Sequence, residues 1–309
     1  MALTVVTYHY VRDLASSRYP SLTALDASKF DGQLDYITRH YQVVGLDLVR
    51  SVMKGQEQLP PNACLLTFDD GLIDHFTVVF PRLIERGIAG CFFPPGKSGK
   101  GPASSGDVHK IHFVLASDAT PDAINRYIMD ACDGARAGHD LPSREDLLAD
   151  NWKASRFDSA EVRFVKNVLQ KGLPEPFRSE LVAQLFATFV TDREDAFSAD
   201  LYMDDIQLRC MIQTGMEVGG HGAFHDRLGL MSRPEQEEEV RATQAFLAEL
   251  YGHELGPWSI AYPYGSFNSD TLEILEGAGC VLGFTIEQEL VQGFDSPLTL
   301  GRVDTNYLP

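Results

Sequence analysis

The chain has 309 residues, a hydrophobic content of 44% and a formal net charge of −18 at pH 7. That length is sufficient for one large domain, or for one domain that carries a substantial insertion. The acidic balance argues against a nucleic-acid partner, because binding phosphates requires clustered Lys and Arg side chains. It also disfavours docking on an anionic membrane, and no apolar run is long enough to span a bilayer.

The N-terminal sequence MALTVVTYHYVRD does not resemble a secretory signal. No basic residue precedes its apolar stretch, so residues 4–11 are interpreted as a first β-strand. A cytoplasmic location is therefore the default expectation. The five cysteines are odd in number and lack CxxC spacing, which indicates thiols in a reducing compartment.

Short apolar runs rich in Val, Ile, Phe or Tyr recur along the chain at strand length. They predict seven strands, at residues 4–9, 64–68, 89–93, 216–221, 259–263, 281–285 and 298–303. Helical patterns separate many of these strands, at residues 30–40, 76–86, 235–251 and 269–276. Such alternation indicates an α/β fold whose parallel strands are joined by right-handed crossovers. Seven strands could form an open sheet or an incomplete barrel.

Three local features of these helices are informative. Ser28 precedes the first helical pattern, and Gly277 is predicted to close the last one in the left-handed conformation. Ser232 and Pro234 predict the start of the third helix. The acidic run 235–239 that follows them is interpreted as a solvated helix face rather than a cation site.

The middle of the chain lacks strand alternation. A Gly/Ser/Lys-rich loop at 96–106 precedes mostly helical signals, of which Thr120 followed by Pro121 is a typical start. The sequence therefore predicts a core formed by residues 1–96 and 216–309, interrupted by a mostly helical insertion at 97–215. Large insertions at loop ends often line an active site, so this insertion is a candidate lid.

A first chemical motif lies at residues 65–71, where the strand LLTF runs into Asp69, Asp70 and Gly71. Catalytic groups gather at the carboxyl ends of strands in α/β folds. Two neighbouring ionised aspartates repel each other, so a nearby cation is expected. The alternative is a turn that simply ends the strand.

A second motif, GGHGAFH at residues 219–225, also follows a predicted strand. The spacing of four places His221 and His225 on one side of a helical turn, where both can bind one metal. The alternative is two unrelated histidines. Two His and one Asp form a three-ligand set with open positions for water and substrate, which leaves the other Asp to act as a base.

Together with AYPYG at 261–265, the segments TFDDG at 67–71 and HGAFH at 221–225 resemble the motifs of the polysaccharide deacetylases. This family is also called the NodB-homology group or carbohydrate esterase family 4. The resemblance covers the two core segments and not the insertion. It implies a distorted, incomplete (β/α)7 barrel that removes an N-acetyl group from an amino sugar in a glycan or glycan precursor. The cofactor it implies is a divalent metal, with Zn²⁺ expected and Co²⁺, Ni²⁺ or Mn²⁺ as alternatives.

The resemblance also implies a role for each motif residue. Asp69 corresponds to the general base, and Asp70, His221 and His225 correspond to the metal ligands. The backbone N–H of Tyr264 corresponds to a donor for the oxyanion.

The sequence departs from the family pattern at two catalytic positions, the Arg that orients the base and the His that acts as general acid. The Arg that many members carry two residues before the Pro of the third motif is replaced by Ala261, and the late catalytic His is absent. A subgroup that includes the biofilm poly-N-acetylglucosamine deacetylases has an early strand ending in Tyr-His, as Tyr8 and His9 do here. His9 is therefore the predicted general acid, with a structural hydrogen bond as the alternative. Arg302 is the candidate for the missing Arg, with a plain salt bridge as the alternative.

Two other classes of function are weighed against an N-acetyl sugar deacetylase. One is an amide hydrolase that acts on a formylated or non-sugar substrate, and the other is a sugar-binding module without catalysis. The intact set of two Asp and two His argues against the binding module, because a binder has no need of a free base beside a metal. The expected partner is an N-acetylated sugar or oligosaccharide, and no prediction is made about the oligomeric state.

Overall fold

The computed structural model describes residues 2–96, 106–155 and 158–309. Most of the loop predicted at 96–106, with the boundary at 97, lies outside the described residues. The chain divides into two compact units. The first unit comprises the described residues of Met1–Asp13, Ala24–Ala103 and Ala199–Pro309, and the second those of Leu14–Thr23 and Ser104–Ser198. Within the described ranges, no helix has both the length and the apolar character needed to cross a membrane.

The first unit holds all the strands described. They are β1 (Leu3–Tyr8), β2 (Val11–Arg12), β3 (Leu25–Asp26), β4 (Gln42–Val43), β5 (Ala63–Asp69), β6 (Cys91–Phe93), β7 (Glu217–Val218), β8 (Trp258–Ala261), β9 (Cys280–Phe284) and β10 (Val303–Asp304). The α-helices of the whole chain are α1 (Ala27–His40), α2 (Leu46–Met53), α3 (Phe80–Arg86), α4 (Asp107–Leu115), α5 (Pro121–Ala135), α6 (Arg144–Asn151), α7 (Ala160–Asn167), α8 (Phe177–Phe189), α9 (Glu194–Leu201), α10 (Asp205–Gln213), α11 (Arg233–Tyr251) and α12 (Ser269–Gly277). Two π-helical turns occur, at His75–Val79 and Val168–Gly172.

All strand pairings within the sheets are parallel, as the alternation of strands and helices predicts. The main sheet has the order β10-β1-β5-β6-β7, with β4 also paired to β5, and β8 pairs with β9 separately. Single parallel bridges, Gly220 to Ile260 and Phe284 to Leu300, connect the β8–β9 pair to the segments that flank the main sheet. The strands therefore follow one another around an interrupted ring.

The side chains of β5 alternate between two layers of core, and every residue of this strand is buried. Cys64, Leu66 and Phe68 belong to a cluster that includes residues of the surrounding helices. Leu65 belongs to the other cluster, which is built mainly from strand residues. Because alternate residues share a face, Asp69 at the end of the strand points to the same side as Leu65.

Two of the predicted helix ends are wrong by a few residues. Helix α1 begins at Ala27, and the carboxylate of Asp26 accepts the Ser28 N–H, so Asp26 is the cap and Ser28 lies inside the helix. Gly277 is the last residue of α12, and the left-handed glycine after this helix is Gly279, with φ 73°.

The interpretation of residues 235–239 as a solvated face is wrong for two residues, Gln236 and Glu239. Helix α11 begins after a capping box formed by Ser232 and Glu235, as the sequence indicates. Its buried side, however, includes Glu239, which is 2% exposed. Because Glu239 lies three and four residues from the buried Gln236 and Thr243, it falls on the inner stripe of the helix.

The second unit is mostly helical in its described residues: they include α4 to α8 and the first part of α9, together with the non-helical segment Leu14–Thr23. Thr120 caps α5 through the Ala123 N–H, with Pro121 in the first turn. Aromatic rings form part of its core, where Phe197 makes edge contacts with both Phe113 and Phe186. The role of residues 97–215 as a lid stays a prediction.

Candidate metal centre and catalytic residues

Asp69 and Arg302 form a buried ion pair inside the first unit. Arg302 donates from Nη1 to Asp69 Oδ1 at 2.8 Å and from Nη2 to Asp69 Oδ2 at 2.6 Å. Its Nε donates to the Thr285 carbonyl at 2.9 Å, which fixes the plane of the guanidinium. The side chains of Arg302 and Asp69 are 1% and 2% exposed. Both were singled out from sequence, and they lie together although 233 residues separate them.

The electrostatic surroundings of Asp69 keep it ionised. Burial by itself raises the pKa of a carboxyl group. Here the Arg302 guanidinium and the His221 imidazole outweigh burial and lower the pKa of Asp69 below its usual value. Asp69 is therefore a carboxylate at neutral pH and able to accept a proton.

Directly after the end of β5, the backbone turns at Asp70. Its φ is 76°, in the left-handed region, which aspartate tolerates better than most residues. Its N–H donates to the Phe93 carbonyl at 3.1 Å, an attachment that ties the turn to the neighbouring strand β6. The turn takes Asp70 out of the strand alternation and aims its carboxylate at two imidazoles.

His221 and His225 meet at Asp70, but they do so from a loop. His221 Nε2 and His225 Nε2 lie 3.3 Å and 3.2 Å from Asp70 Oδ1, and the two rings are 4.9 Å apart. Residues 221–225 are not helical, since both Gly222 and His225 have positive φ, 69° and 63°. The expectation of a helical turn is thus wrong, although the spacing of four does bring the rings together.

The His221 ring has its tautomer set by one hydrogen bond. Its Nδ1 lies 2.7 Å from the Ala261 carbonyl oxygen, which can only accept, so Nδ1 carries the proton. Nε2 is therefore the ring nitrogen that is left to bind a metal ion, as in a metal-binding histidine.

Asp70, His221 and His225 fit a divalent ion. They are the group of potential ligand residues found within the described part of the chain, with donor atoms within 4.8 Å of one another. Donors around a tetrahedral ion with bonds of about 2.0–2.1 Å lie about 3.3 Å apart. The two nitrogen–oxygen separations match this value, and two imidazoles with one carboxylate are a donor set that Zn²⁺ accepts.

His9 lies at the open side of Asp69. Its Nε2 is 4.0 Å from Asp69 Oδ2, and its side chain is 47% exposed. The backbone carbonyl of His9 accepts a hydrogen bond from His75 Nε2 at 2.9 Å. His75 is fully buried, and burial lowers the pKa of its imidazole to about 4, so it acts as a neutral donor.

Tyr264 flanks the histidines from the turn after β8. Its backbone is left-handed, with φ 58°, and its ring centre lies 4.8 Å from that of His225. The guanidinium carbon of Arg227 lies 3.8 Å from the Tyr264 ring centre, a cation–π contact. The residues predicted from sequence thus surround one region of the first unit.

One residue at this region escapes sequence reasoning. Glu239 accepts hydrogen bonds from the backbone N–H groups of Ala223 and Phe224, at 3.0 Å and 2.9 Å. It lies in an acidic run, and such a run predicts solvent-exposed side chains rather than a buried carboxylate. The available signal is the three-and-four-residue spacing that places Glu239 on the same helix side as Gln236 and Thr243.

Comparisons with known proteins agree with this architecture. The family model described as polysaccharide deacetylase matches residues 186–282. The fold is similar to that of the Streptococcus pyogenes deacetylase PplD, solved in complex with acetate, at 16% identity and a TM-score of 0.59 over 100% of this chain and 93% of that one. IcaB from Ammonifex degensii has 20% identity and a TM-score of 0.57, with 98% and 91% of the two chains covered. The BpsB deacetylase domain from Bordetella bronchiseptica has 17% identity and a TM-score of 0.55, with 98% and 95% covered.

No curated protein matches the chain by sequence. The family-model match and the fold confirm the predicted fold class and the resemblance to the polysaccharide deacetylases. The match at residues 186–282 contains His221, His225 and Tyr264, whereas Asp69 and Arg302 lie outside it.

Proposed function

We propose that this protein is a zinc-dependent hydrolase that removes an N-acetyl group from an amino sugar in a glycan or glycan precursor. The observation that carries the proposal is the contrast between the two neighbouring aspartates. Asp69 is held by Arg302, whereas Asp70 faces the two histidines. This arrangement supplies a base and a three-ligand metal site side by side.

The proposed base is Asp69. When bound, the divalent ion supplies a water of lowered pKa and polarises the acetyl carbonyl. Each carboxylate oxygen of Asp69 retains a lone pair after accepting from Arg302, so the carboxylate can still take the proton of an attacking water. Arg302 positions it, because two parallel hydrogen bonds fix the plane of the carboxylate.

The proposed acid is His9, which donates a proton to the leaving amine. Its exposed ring can touch a substrate, and its Nε2 lies 4.0 Å from Asp69 Oδ2, so the acid and the base can reach the same reacting group. His75 holds the backbone of His9 and so limits where the ring can go. The Tyr264 N–H is proposed as a donor to the oxyanion of the tetrahedral intermediate.

The test is acetate release by the purified protein loaded with one equivalent of Zn²⁺. The substrates are N-acetylglucosamine oligomers and nucleotide-linked N-acetyl sugars, with N-formyl and non-sugar N-acetyl compounds alongside. We expect acetate from a sugar substrate, and we expect Asp69→Asn to abolish it while one Zn²⁺ stays bound. Release only from formyl or non-sugar compounds contradicts the sugar assignment. Sugar binding without any release favours a binding module instead.

A further inference from the structure

The loop that carries two of the proposed metal ligands rests on a buried glutamate from another element. Glu239 lies in the second turn of α11 and is 2% exposed. Its Oε1 accepts the N–H groups of Ala223 and Phe224 at 3.0 Å and 2.9 Å. These two residues lie between His221 and His225, so the glutamate holds the centre of the loop.

The loop needs such a support because its backbone is irregular. Gly222 and His225 both have positive φ, and His225 lacks the conformational freedom of glycine there. A loop of this kind has no helical or sheet ladder to satisfy its N–H groups, and buried N–H groups without acceptors are costly. One carboxylate oxygen that accepts two consecutive N–H groups satisfies both and fixes the peptide planes between the histidines.

Glu239 also fits closely against the loop. A Cβ added to Gly222 would lie 3.1 Å from Glu239 Oε1, so the carboxylate occupies the space that a side chain there would need. On the other side of the loop, the Gly222 carbonyl accepts the Gly96 N–H at 2.9 Å. The loop is therefore held from α11 and from the end of β6 together.

We propose that Glu239 is a positioning residue for the metal site: through the Ala223 and Phe224 N–H groups it holds His225 and His221 at the spacing that one ion requires. The part of this inference that concerns metal rests on the proposed function. The part that concerns loop order does not, because the contacts exist without any ion. Glu239 acts through the backbone N–H groups of Ala223 and Phe224.

The test compares four variants of the full-length protein. Glu239→Ala removes the acceptor. Glu239→Gln keeps an acceptor oxygen at the same reach without the charge, and Glu239→Asp keeps the charge but withdraws it by one methylene. Glu238→Ala is the matched control, since it removes an exposed carboxylate from the adjacent position of the same helix.

The first measurement is the affinity for Zn²⁺ alone, by competition with a chromophoric chelator. We expect Glu239→Ala to weaken binding by about 10–100-fold, as loss of an outer support of a metal ligand does. Glu239→Gln should retain most of the Zn²⁺ affinity, and Glu239→Asp should bind Zn²⁺ more weakly than Glu239→Gln does. The control Glu238→Ala should bind Zn²⁺ as tightly as the parent. The opposite order, with Asp close to the parent and Gln strongly weakened, would show that the charge acts directly and would overturn the positioning role.

The second measurement is amide hydrogen exchange in the metal-free protein. If Glu239→Ala folds poorly, the Gln and Asp variants still give the same comparison. We expect protection of the Ala223 and Phe224 amides in the parent, in Glu238→Ala and in Glu239→Gln, with faster exchange in Glu239→Asp. Unprotected amides in the parent overturn the proposal. If the parent binds no Zn²⁺ but protects these amides, the proposed function fails while the support of the loop by Glu239 stands.

Discussion

Replacing Arg302 with methionine tests the electrostatic logic of the site. Methionine keeps an unbranched apolar stem of similar bulk and deletes the guanidinium. The substitution removes both hydrogen bonds to Asp69, at 2.8 Å and 2.6 Å, and the one to the Thr285 carbonyl. The Asp69 carboxylate then remains buried without the guanidinium that pairs with it, and a buried charge that loses its ion-pair partner is costly.

The size of the effect follows from these contacts. Each hydrogen bond to a charged group contributes about 1.5–3 kcal/mol, so the two to Asp69 together contribute about 3–6 kcal/mol. Removal of one partner from a buried ion pair costs about 3–5 kcal/mol for the same reason. We therefore expect Arg302→Met to lower the free energy of unfolding by about 3–5 kcal/mol at neutral pH.

The loss should depend on pH in a defined direction. In the parent, Arg302 helps to hold the pKa of Asp69 below its usual value, so this carboxylate stabilises the fold above the unfolded pKa, and the contribution disappears as the pH falls through the folded pKa. In Arg302→Met the guanidinium no longer opposes burial, so the pKa of Asp69 should be higher in the variant than in the parent. The variant should therefore lose less stability relative to the parent at about pH 4.5 than at about pH 7.5.

The assay is urea unfolding followed by fluorescence at both pH values, on the metal-free parent, Arg302→Met, Asp69→Asn and the double variant. We expect Asp69→Asn to reduce the cost of Arg302→Met, because an uncharged amide is less costly to bury than an unpaired carboxylate. A loss below about 1 kcal/mol at neutral pH, or a loss that grows as the pH falls, would refute the reasoning.

Three further predictions concern single substitutions. Asp69→Asn should abolish turnover yet keep the bound Zn²⁺, because Asp69 does not belong to the group of Asp70, His221 and His225. Elemental analysis measures the bound ion, and its loss would contradict the role of Asp69 as base. His9→Ala should lower kcat by about 10²–10⁴-fold with little change in KM, and equal activity across the pH range removes His9 from the mechanism. Gly219→Ala should destabilise the fold by about 1–3 kcal/mol, because its Cβ would lie 2.7 Å from the Ser259 carbonyl oxygen; calorimetry checks this, and an unchanged Tm contradicts it.

Much of the fold and the identity of the reactive residues could be predicted because both depend on local pattern. Alternating apolar runs mark the strands, and TFDDG spans the end of β5 while HGAFH lies shortly after β7. The pairing of Asp69 with Arg302 could be nominated only through the family resemblance. The partners are 233 residues apart, and no local pattern encodes a contact across the closure of a ring of strands.

Other features depend on tertiary context that a periodic pattern does not contain. The left-handed backbone at Asp70 and His225 is unusual for residues other than glycine and exists because neighbouring strands and loops hold it. From sequence, Glu239 is expected to be solvated because it ends a run of acidic residues. Three other acidic residues of this run are indeed exposed. Its burial is tolerated because two backbone N–H groups of a distant loop satisfy its carboxylate.

The structure also changes the reason for expecting a metal. From sequence, the repulsion between Asp69 and Asp70 called for one cation near both. In the structure Arg302 already pairs with Asp69. The argument for an ion therefore rests on Asp70, which faces two imidazoles whose nitrogens lie 3.3 Å and 3.2 Å away. Since Arg302 pairs with Asp69 and does not belong to the group of Asp70, His221 and His225, removing Arg302 should disturb the base while leaving the Zn²⁺ affinity of the Asp70 site close to that of the parent.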